Sequence, residues 1–305
     1  MARVVVTGAT GTIGGSVCRR LLARGDQPVA LSRNPSTSKA KLPDGVEWHA
    51  WPDPVSGQPS SASLAGADAI IHLLGEPISQ RWSAAAKQRI RESRVLSTRN
   101  LVAAVRELGD GQRPGVLISQ SATGFYGPRG SEQLDEHASA GSDFLAGIVA
   151  AWEAEALKAA PGCRVVVTRT GVVLSSSGGA LAKMLPFFRA GVGGPVAGGD
   201  QYVPWVHIDD LVSALLFCLD NAEASGPVNV TAPRPVDNAE FSKALGHALH
   251  RPALLPVPAF ALKLLYGEMA EIVTTGQRAI PRRLEQLGFS FAHPEIEPAL
   301  RDVLS

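Results

Sequence analysis

Gly8, Gly11 and Gly14 stand three residues apart immediately after an apolar β-branched run, Arg3–Thr7. That spacing is suited to holding a dinucleotide diphosphate. The first glycine allows a tight turn, the second lets backbone approach the anion, and the third lets a new helix pack against the turn. The helix that follows, about Thr12 to Arg24, aims its free amide N–H groups and the positive end of its dipole at the same point. Thr10, Thr12 and Ile13 are therefore expected beside the coenzyme together with the three glycines. The next strand, Pro28–Leu31, ends on Ser32-Arg33-Asn34, with no carboxylate to accept from a ribose 2′-OH. A guanidinium at that point binds a 2′-phosphate through charge-assisted hydrogen bonds, so Arg33 predicts NADP rather than NAD.

These residues need a scaffold, and the pattern supplies one. Apolar strands alternate with helices, which predicts an α/β fold, a Rossmann-type doubly wound parallel sheet. Val46–Trp51, Asp68–Gly75, Gly115–Ser119 and Arg164–Thr170 read as further strands, and Pro35–Lys41 as a polar loop. Ser83–Leu108 reads as a long helix capped by Ser83, and Ser142–Ala160 as another. The expected division is an NADP-binding domain over residues 1–225, to whose partner lobe 171–202 contributes, and a small C-terminal lobe over 226–305. That lobe carries helices at Ala239–Leu249 and Ala259–Met269. Ligands of such sheets lie outside the strand C-termini, so Leu73, Leu74, Gly75, Glu76, Ser119, Thr170 and Gly171 are expected to line the coenzyme site.

Composition removes several classes of function. A formal net charge of +1 gives no electrostatic case for nucleic acid or an anionic membrane. No apolar run approaches transmembrane length, and the chain enters a strand at once, without a leader pattern. Cys18, Cys163 and Cys218 are far apart in apolar segments. They read as small core residues, not as a disulfide framework or a metal site, and no metal is expected. The expected setting is cytoplasmic, with a small-molecule substrate as partner and a homodimer as the assembly to test.

Several motifs resemble the extended short-chain dehydrogenase/reductase family, which contains the nucleotide-sugar epimerases and dehydratases. They are Thr7-Gly-Ala-Thr-Gly-Thr-Ile-Gly14, His72-Leu-Leu-Gly75, Ser119-Gln-Ser-Ala-Thr-Gly-Phe-Tyr-Gly127 and Trp205-Val-His-Ile-Asp-Asp210. Gly75-Glu-Pro-Ile78, Arg81-Trp82, Trp152-Glu153, Arg169-Thr-Gly-Val-Val-Leu174, Gly178-Gly-Ala-Leu181 and Gly267-Glu-Met-Ala270 narrow the likeness to the atypical branch of epimerase family proteins. The resemblance spans nearly the whole chain. It implies a coenzyme-binding Rossmann fold, places Ser121 at the family's catalytic serine, and reads Trp205–Asp210 as leading into a helix capped by an aspartate.

One departure bears on mechanism. The larger family uses the Tyr of a Tyr-x-x-x-Lys pair as its acid/base group. Four residues after Tyr126, Tyr202 and Tyr266 stand Gly130, Val206 and Ala270, so no tyrosine of this chain has the lysine. Substitutes are few. Tyr126, five residues beyond Ser121, is expected in a loop at the mouth of the site, where a cation would make it acidic. The alternative is a packed tyrosine bonded to backbone. His207, among Trp205, Val206 and Ile208, is either an acid/base group or a structural half-buried histidine. Glu153 and Glu76 are carboxylates with the same two options, and for both a helix-surface or capping role is the plainer one. Arg81, Lys87, Arg89, Arg91 and Arg94 read as a solvated helix face, with Arg81 the one that could meet a substrate anion. Two functions fit: an NADP-dependent oxidoreductase or epimerase acting on a hydroxyl or carbonyl of a small polar substrate, with Ser121 and Tyr126 polarising the oxygen, or a non-catalytic NADP(H)-binding redox-sensing module.

Overall fold

The computed structural model describes residues 1–109, 111–160 and 162–305. Seven parallel strands form one sheet: β1 (Arg3–Thr7), β2 (Gln27–Ser32), β3 (Glu47–Ala50), β4 (Ala69–His72), β5 (Val116–Ala122), β6 (Arg164–Thr170) and β7 (Gly226–Val230). Their order across the sheet is β7-β6-β5-β4-β1-β2-β3. The direction of winding reverses between β1 and β4, which opens a crevice at their C-terminal ends. Thr7 pairs with Leu31 on one side and His72 on the other, so the glycine turn leaves the sheet at that crevice.

Both faces are covered, which explains why the strands read as continuous apolar runs. Val4 and Val6 pack with α1 (Thr12–Ala23) through Val17, Cys18 and Leu21. Val5 faces the other way, toward α2 (Ala84–Glu107) and α3 (Phe144–Leu157) through Leu101, Val105 and Ala156. Ser83 caps α2 by accepting from the Ala86 N–H, and Asp143 caps α3 through the N–H groups of Leu145 and Ala146. Cys18, Cys163 and Cys218 are free and buried, and burial lifts their thiols to about 12, 11 and 12.

A second apolar core lies beyond the sheet. It joins α4 (Gly179–Arg189), the residues leading to α5 (Ile208–Asp220), α6 (Asn238–Ala248) and α8 (Ile296–Leu304) through Leu181, Leu185, Phe188, Trp205, Phe241, Leu245 and Leu300. Between α6 and α8 lies α7 (Ala259–Tyr266), which buries none of its residues and ends at Tyr266 in a 3₁₀ turn over Gly267–Ala270. Among the described residues no helix is long and apolar enough to cross a membrane.

Four expectations change in detail. β5 runs three residues past Ser119, because Gln120, Ser121 and Ala122 continue the pairing with β6. Pro35–Lys41 is not a loop: Pro35–Ser38 make one helical turn started by the proline, and Lys39–Lys41 a 3₁₀ turn. Gly226–Val230, expected at the start of the small lobe, is the edge strand of the main sheet, paired with β6 from Gly226↔Val166 to Val230↔Thr170. The helix after Trp205-Val-His is capped by His207, whose Nδ1 accepts the Asp209 N–H at 3.1 Å. Asp210 instead accepts from the N–H groups of Ala292 and His293 at 2.8 and 2.9 Å, tying the C-terminal segment to α5.

Candidate functional site

The glycine turn has no room for side chains. A Cβ on Gly14 would lie 2.3 Å from the Gly8 carbonyl oxygen, so α1 begins in direct contact with the turn. Gly8 sits at φ +65°, where a side chain is strained, and its Cβ would also meet the Leu73 carbonyl at 2.8 Å. The N-cap of α1 is Gly11, with no side-chain capping bond and no acidic residue in the first turn. The first amides of α1 are thus left for an anion. Gly8, Gly11, Thr12, Ile13, Gly14 and Leu73 line one side of a cavity of about 210 Å³. These backbone donors and this free space fit a dinucleotide diphosphate. Thr10 is exposed on the turn, and Leu74 turns toward the sheet core.

Below the turn a buried polar chain levels the strand ends. Thr7 Oγ1 accepts the Leu73 N–H at 3.1 Å and lies 2.7 Å from His72 Nδ1, while His72 Nε2 lies 3.0 Å from Thr98 Oγ1. Burial drives the His72 pKa down to about 3, so the imidazole is neutral.

At the end of β2, Arg33 is exposed beside a turn held by its own hydroxyls and amides. Ser32 Oγ and Ser38 Oγ pair at 2.7 Å, and the Asn34 N–H donates to Ser32 Oγ at 3.2 Å. From Ser32 to Lys41 the charged residues are Arg33, Lys39 and Lys41, all exposed, with no carboxylate among them.

Past β4, the Gly75–Trp82 loop is pinned from α2. Ser93 Oγ accepts the Glu76 N–H at 2.9 Å, and Arg94 Nη1 donates to the Glu76 carbonyl at 2.9 Å. Arg94 therefore does not belong to a solvated face. It packs over Trp152 at 5.4 Å, and burial lowers its pKa to about 10. From α4, Lys183 Nζ donates to the Ser79 carbonyl and hydroxyl, both at 2.7 Å, and Lys87 pairs with Glu268. Arg81 is exposed and donates to the Leu264 carbonyl at 3.4 Å.

Ser119 does not line the crevice. It pairs with His72 inside the sheet and is 1% exposed, because β5 extends beyond it. Thr170 is buried at the end of β6, and its hydroxyl donates to the Thr168 carbonyl at 3.2 Å. Gly171 is required by packing against other backbone: a Cβ there would lie 2.0 Å from the Pro204 carbonyl oxygen.

Ser121 and Tyr126 are drawn into one buried network and away from solvent, at 1% and 0% exposure. Ser121 Oγ donates to Glu153 Oε1 at 2.5 Å. Glu153 also accepts a bidentate pair from Arg169, Nε to Oε1 and Nη2 to Oε2, both at 2.9 Å. Arg169 Nη1 donates to the Tyr126 hydroxyl at 3.2 Å, and that hydroxyl donates to Asn229 Oδ1 at 2.6 Å. The Asn229 N–H donates to Glu136 Oε1 at 2.9 Å. Burial raises the Tyr126 pKa to about 12 even though Arg169 and the hydrogen bonds pull it down. Tyr126 is therefore not a loop residue at the mouth, and the cation beside it does not make it acidic. Burial also raises the pKa of Glu136. In Arg169, burial opposes the charge, but the bonds to Glu153 prevail and its pKa is raised.

Glu153 thus has neither a helix-surface nor a capping role: it is the hub of this network. Arg169, Asn229 and Glu136 are its members that sequence reasoning missed. The available signal was an arginine following the apolar run Val165–Val167 in the buried strand Arg164–Thr170, and a glutamate beside Trp152 in an apolar helix. Buried charges of that kind have to be paired. His207 serves as the cap of α5. With Nδ1 accepting as a cap, its proton sits on Nε2, 3.2 Å from Asp302 Oδ2, and its ring stacks on His293 at 3.7 Å.

Comparison with known proteins agrees with this architecture. Residues 4–231 match the NAD dependent epimerase/dehydratase family, and residues 257–303 match a domain of unknown function, DUF1731. The chain is 40% identical over 303 residues to the chloroplastic epimerase family protein SDR39U1 homolog of Arabidopsis thaliana, covering 99% of this chain and 86% of that one. It is 34% identical to human epimerase family protein SDR39U1, whose crystal structure with NADPH superimposes with a TM-score of 0.88 over 99% of this chain and 98% of that one. A nucleoside-diphosphate sugar epimerase from Corynebacterium glutamicum, 33% identical, aligns with a TM-score of 0.77 over 99% of this chain and 58% of that one.

Proposed function

The chain belongs to the NAD dependent epimerase/dehydratase family, and we propose that it binds NADP(H) and exchanges hydride with a hydroxyl-bearing or carbonyl carbon of a small polar substrate. The observation that carries this reading is the side-chain-free cradle at Gly8, Gly11 and Gly14, with the cationic turn at Arg33 one strand away. NADPH in the human relative supports the phosphorylated coenzyme. When bound, the coenzyme supplies or accepts hydride, a chemistry side chains lack.

The chain's own residues bind and orient. The amides of the glycine turn and of α1 hold the diphosphate, and Arg33 meets the 2′-phosphate. The Gly75–Glu76 loop, fixed by Ser93 and Arg94, forms a rigid floor beside the crevice. Ser121 acts through Glu153 and Arg169 to hold α3 against the C-terminal ends of β5 and β6. It is a positioning residue, since its proton is already donated. Tyr126 keeps its proton at any physiological pH. Glu76, 36% exposed in the loop after β4 with Gln80 and Arg89 beside its carboxylate, is the proposed group for moving a proton.

The test is calorimetry with NADPH, NADP, NADH and NAD on the apo-protein, followed by a screen of small hydroxy and carbonyl compounds read by nicotinamide absorbance. NADP(H) is expected to bind more tightly than NAD(H). No heat with any of the four would overturn the reading. One observation favours a second reading, a redox sensor: the serine and tyrosine of this region are locked in a structural network and offer no proton relay. Its signature is a difference in affinity between NADP and NADPH with no turnover, and equal affinities dispose of it.

A further inference from the structure

Arg94 stands apart from the other arginines of the interior. Arg169 is matched by Glu153, and Arg164 gives its two terminal nitrogens to the carbonyls of Cys218, Leu219 and Ala224 around the end of α5. Arg94 is half-buried, and among the described residues no carboxylate pairs with it. Its hydrogen bonds all leave from Nη1, to the carbonyls of Glu76 at 2.9 Å and Ile90 at 3.1 Å. Nε and Nη2, the side-on edge of the fork, donate to nothing among the described residues. A cation taken out of water normally has a counter-charge or a full set of acceptors.

The idle edge faces Gly75. A Cβ there would lie 3.1 Å from Arg94 Cζ, 3.2 Å from Nη2 and 3.5 Å from Nε. Gly75 is not at positive φ, so glycine is needed at this position for the space in front of the guanidinium. On its other side Arg94 packs over Trp152 of α3, and the next residue, Glu153, takes the Ser121 hydroxyl at the end of β5. The open edge therefore stands at the ends of β4 and β5, beside the crevice between β1 and β4. Trp152 is 3% exposed and leaves its indole Nε1–H without an acceptor. The carboxylate of Glu76 turns away to Gln80, from which it accepts at 3.2 Å, and to Arg89 at 3.8 Å. Donors exceed acceptors at this corner. The paired Nε and Nη2 donors match the two oxygens of a flat anion, a carboxylate.

We propose that the free edge of Arg94 is the anchor of the substrate, and that the substrate is a small hydroxy or oxo acid whose carboxylate docks there. This rests on the reading of the chain as an NADP(H)-dependent protein acting on a hydroxyl or carbonyl group. The pin on the Gly75–Glu76 loop and the anchor use different nitrogens of one guanidinium, so both operate at once.

Calorimetry on the wild-type chain, with and without saturating NADPH, tests the anchor. Glycolate, lactate, pyruvate, mandelate and phenylpyruvate are each compared with the primary amide, which keeps the shape and loses the charge. At least one acid is expected to bind about tenfold or more tightly than its amide, the margin of a charge-assisted pair. Arg94→Gln is expected to weaken that acid about tenfold to a hundredfold more than its amide. Arg94→Lys is expected to keep part of the preference, because the charge stays and the fork is lost. Gly75→Ala sets a methyl group over the idle edge and leaves the Nη1 bonds in place. It is expected to weaken the acid about tenfold, and it decides the matter if Arg94→Gln does not fold. A merely structural Arg94 would lower Tm and leave the acid-to-amide ratio unchanged, and that result would overturn the anchor. So would a wild-type chain for which no acid binds better than its amide, or one that binds methyl phosphate better than every acid. In these cases NADPH heat, read in the same titrations, keeps the coenzyme reading standing. A chain that prefers acids and binds no dinucleotide overturns the coenzyme reading and spares the anchor.

Discussion

Replacing Glu153 by alanine tests the buried network most directly. The change removes the acceptor for both arms of the Arg169 fork and for the Ser121 hydroxyl. The side chains of Arg169 and Glu153 are 5% and 7% exposed, so water cannot take over these bonds without parting α3 from the sheet. Breaking one partner of a buried pair costs about 3–5 kcal/mol, because the remaining charge is stranded. Unfolding entropy of about 2.1 cal/mol/K per residue, over 305 residues, converts that loss to a fall in Tm of about 5–8 °C. The double variant Glu153→Leu/Arg169→Met removes both charges and keeps most of the volume. It is expected to be markedly more stable than Glu153→Ala, since paired apolar replacements of buried ion pairs are often near neutral. Thermal melts and urea titrations of the single and double variants give the comparison. A Glu153→Ala protein within about 1 kcal/mol of wild type, or a double variant worse than the single, would refute the claim that these charges exist in the fold as a mutually dependent pair.

Three further outcomes are expected. Arg33→Asp should lower the NADPH/NADH affinity ratio by at least about tenfold in calorimetry, because a cation worth about 1.5–3 kcal/mol toward phosphate becomes an anion; an unchanged ratio would remove Arg33 from the site. Tyr126→Phe should cost about 1–2 kcal/mol in urea unfolding, through the Asn229 carbonyl left without its donor, and leave any hydride exchange nearly unchanged; a collapse of turnover at unaltered coenzyme affinity would make Tyr126 an acid after all. His72, depressed from 6.5 to about 3 by burial, contributes stability that is present above pH 6.5 and lost as pH falls toward 3. Between those values its share of the slope is at most about 1.4 kcal/mol per pH unit, and His72→Asn should flatten an acid-unfolding profile measured by circular dichroism.

The glycine turn and the helix it opens were legible in the sequence because they depend on backbone. A glycine is visible as a glycine, and the need for it at Gly14 is set by Gly8 and Ala9, a few residues back along the chain, while Gly8 is required by its own positive φ as well as by the distant Leu73 carbonyl. The parallel sheet was legible for a related reason, since β-branched runs covered on both faces leave little choice of partner surface. The Ser121 network was not, because its members come from β5, α3, β6 and β7, and nothing in the local pattern says that residues 121, 153, 169 and 229 meet. Ser119 was misplaced for a smaller reason. Gln120 and Ser121 are polar, so the strand looks finished where it in fact continues, held by pairing with β6. The same blindness hid the reason for Gly178, which is explained by a threonine at position 12.

The edge strand Gly226–Val230 has a consequence for synthesis. It is laid down only after α4 and α5, whose apolar faces serve different cores. A ribosome must therefore deliver residue 230 before the central layer has both its borders, and by then part of the second core has already emerged. The two halves of the molecule are interleaved in time as well as in space, so a gene fragment ending at codon 225 should yield an insoluble product, not a freestanding nucleotide-binding unit.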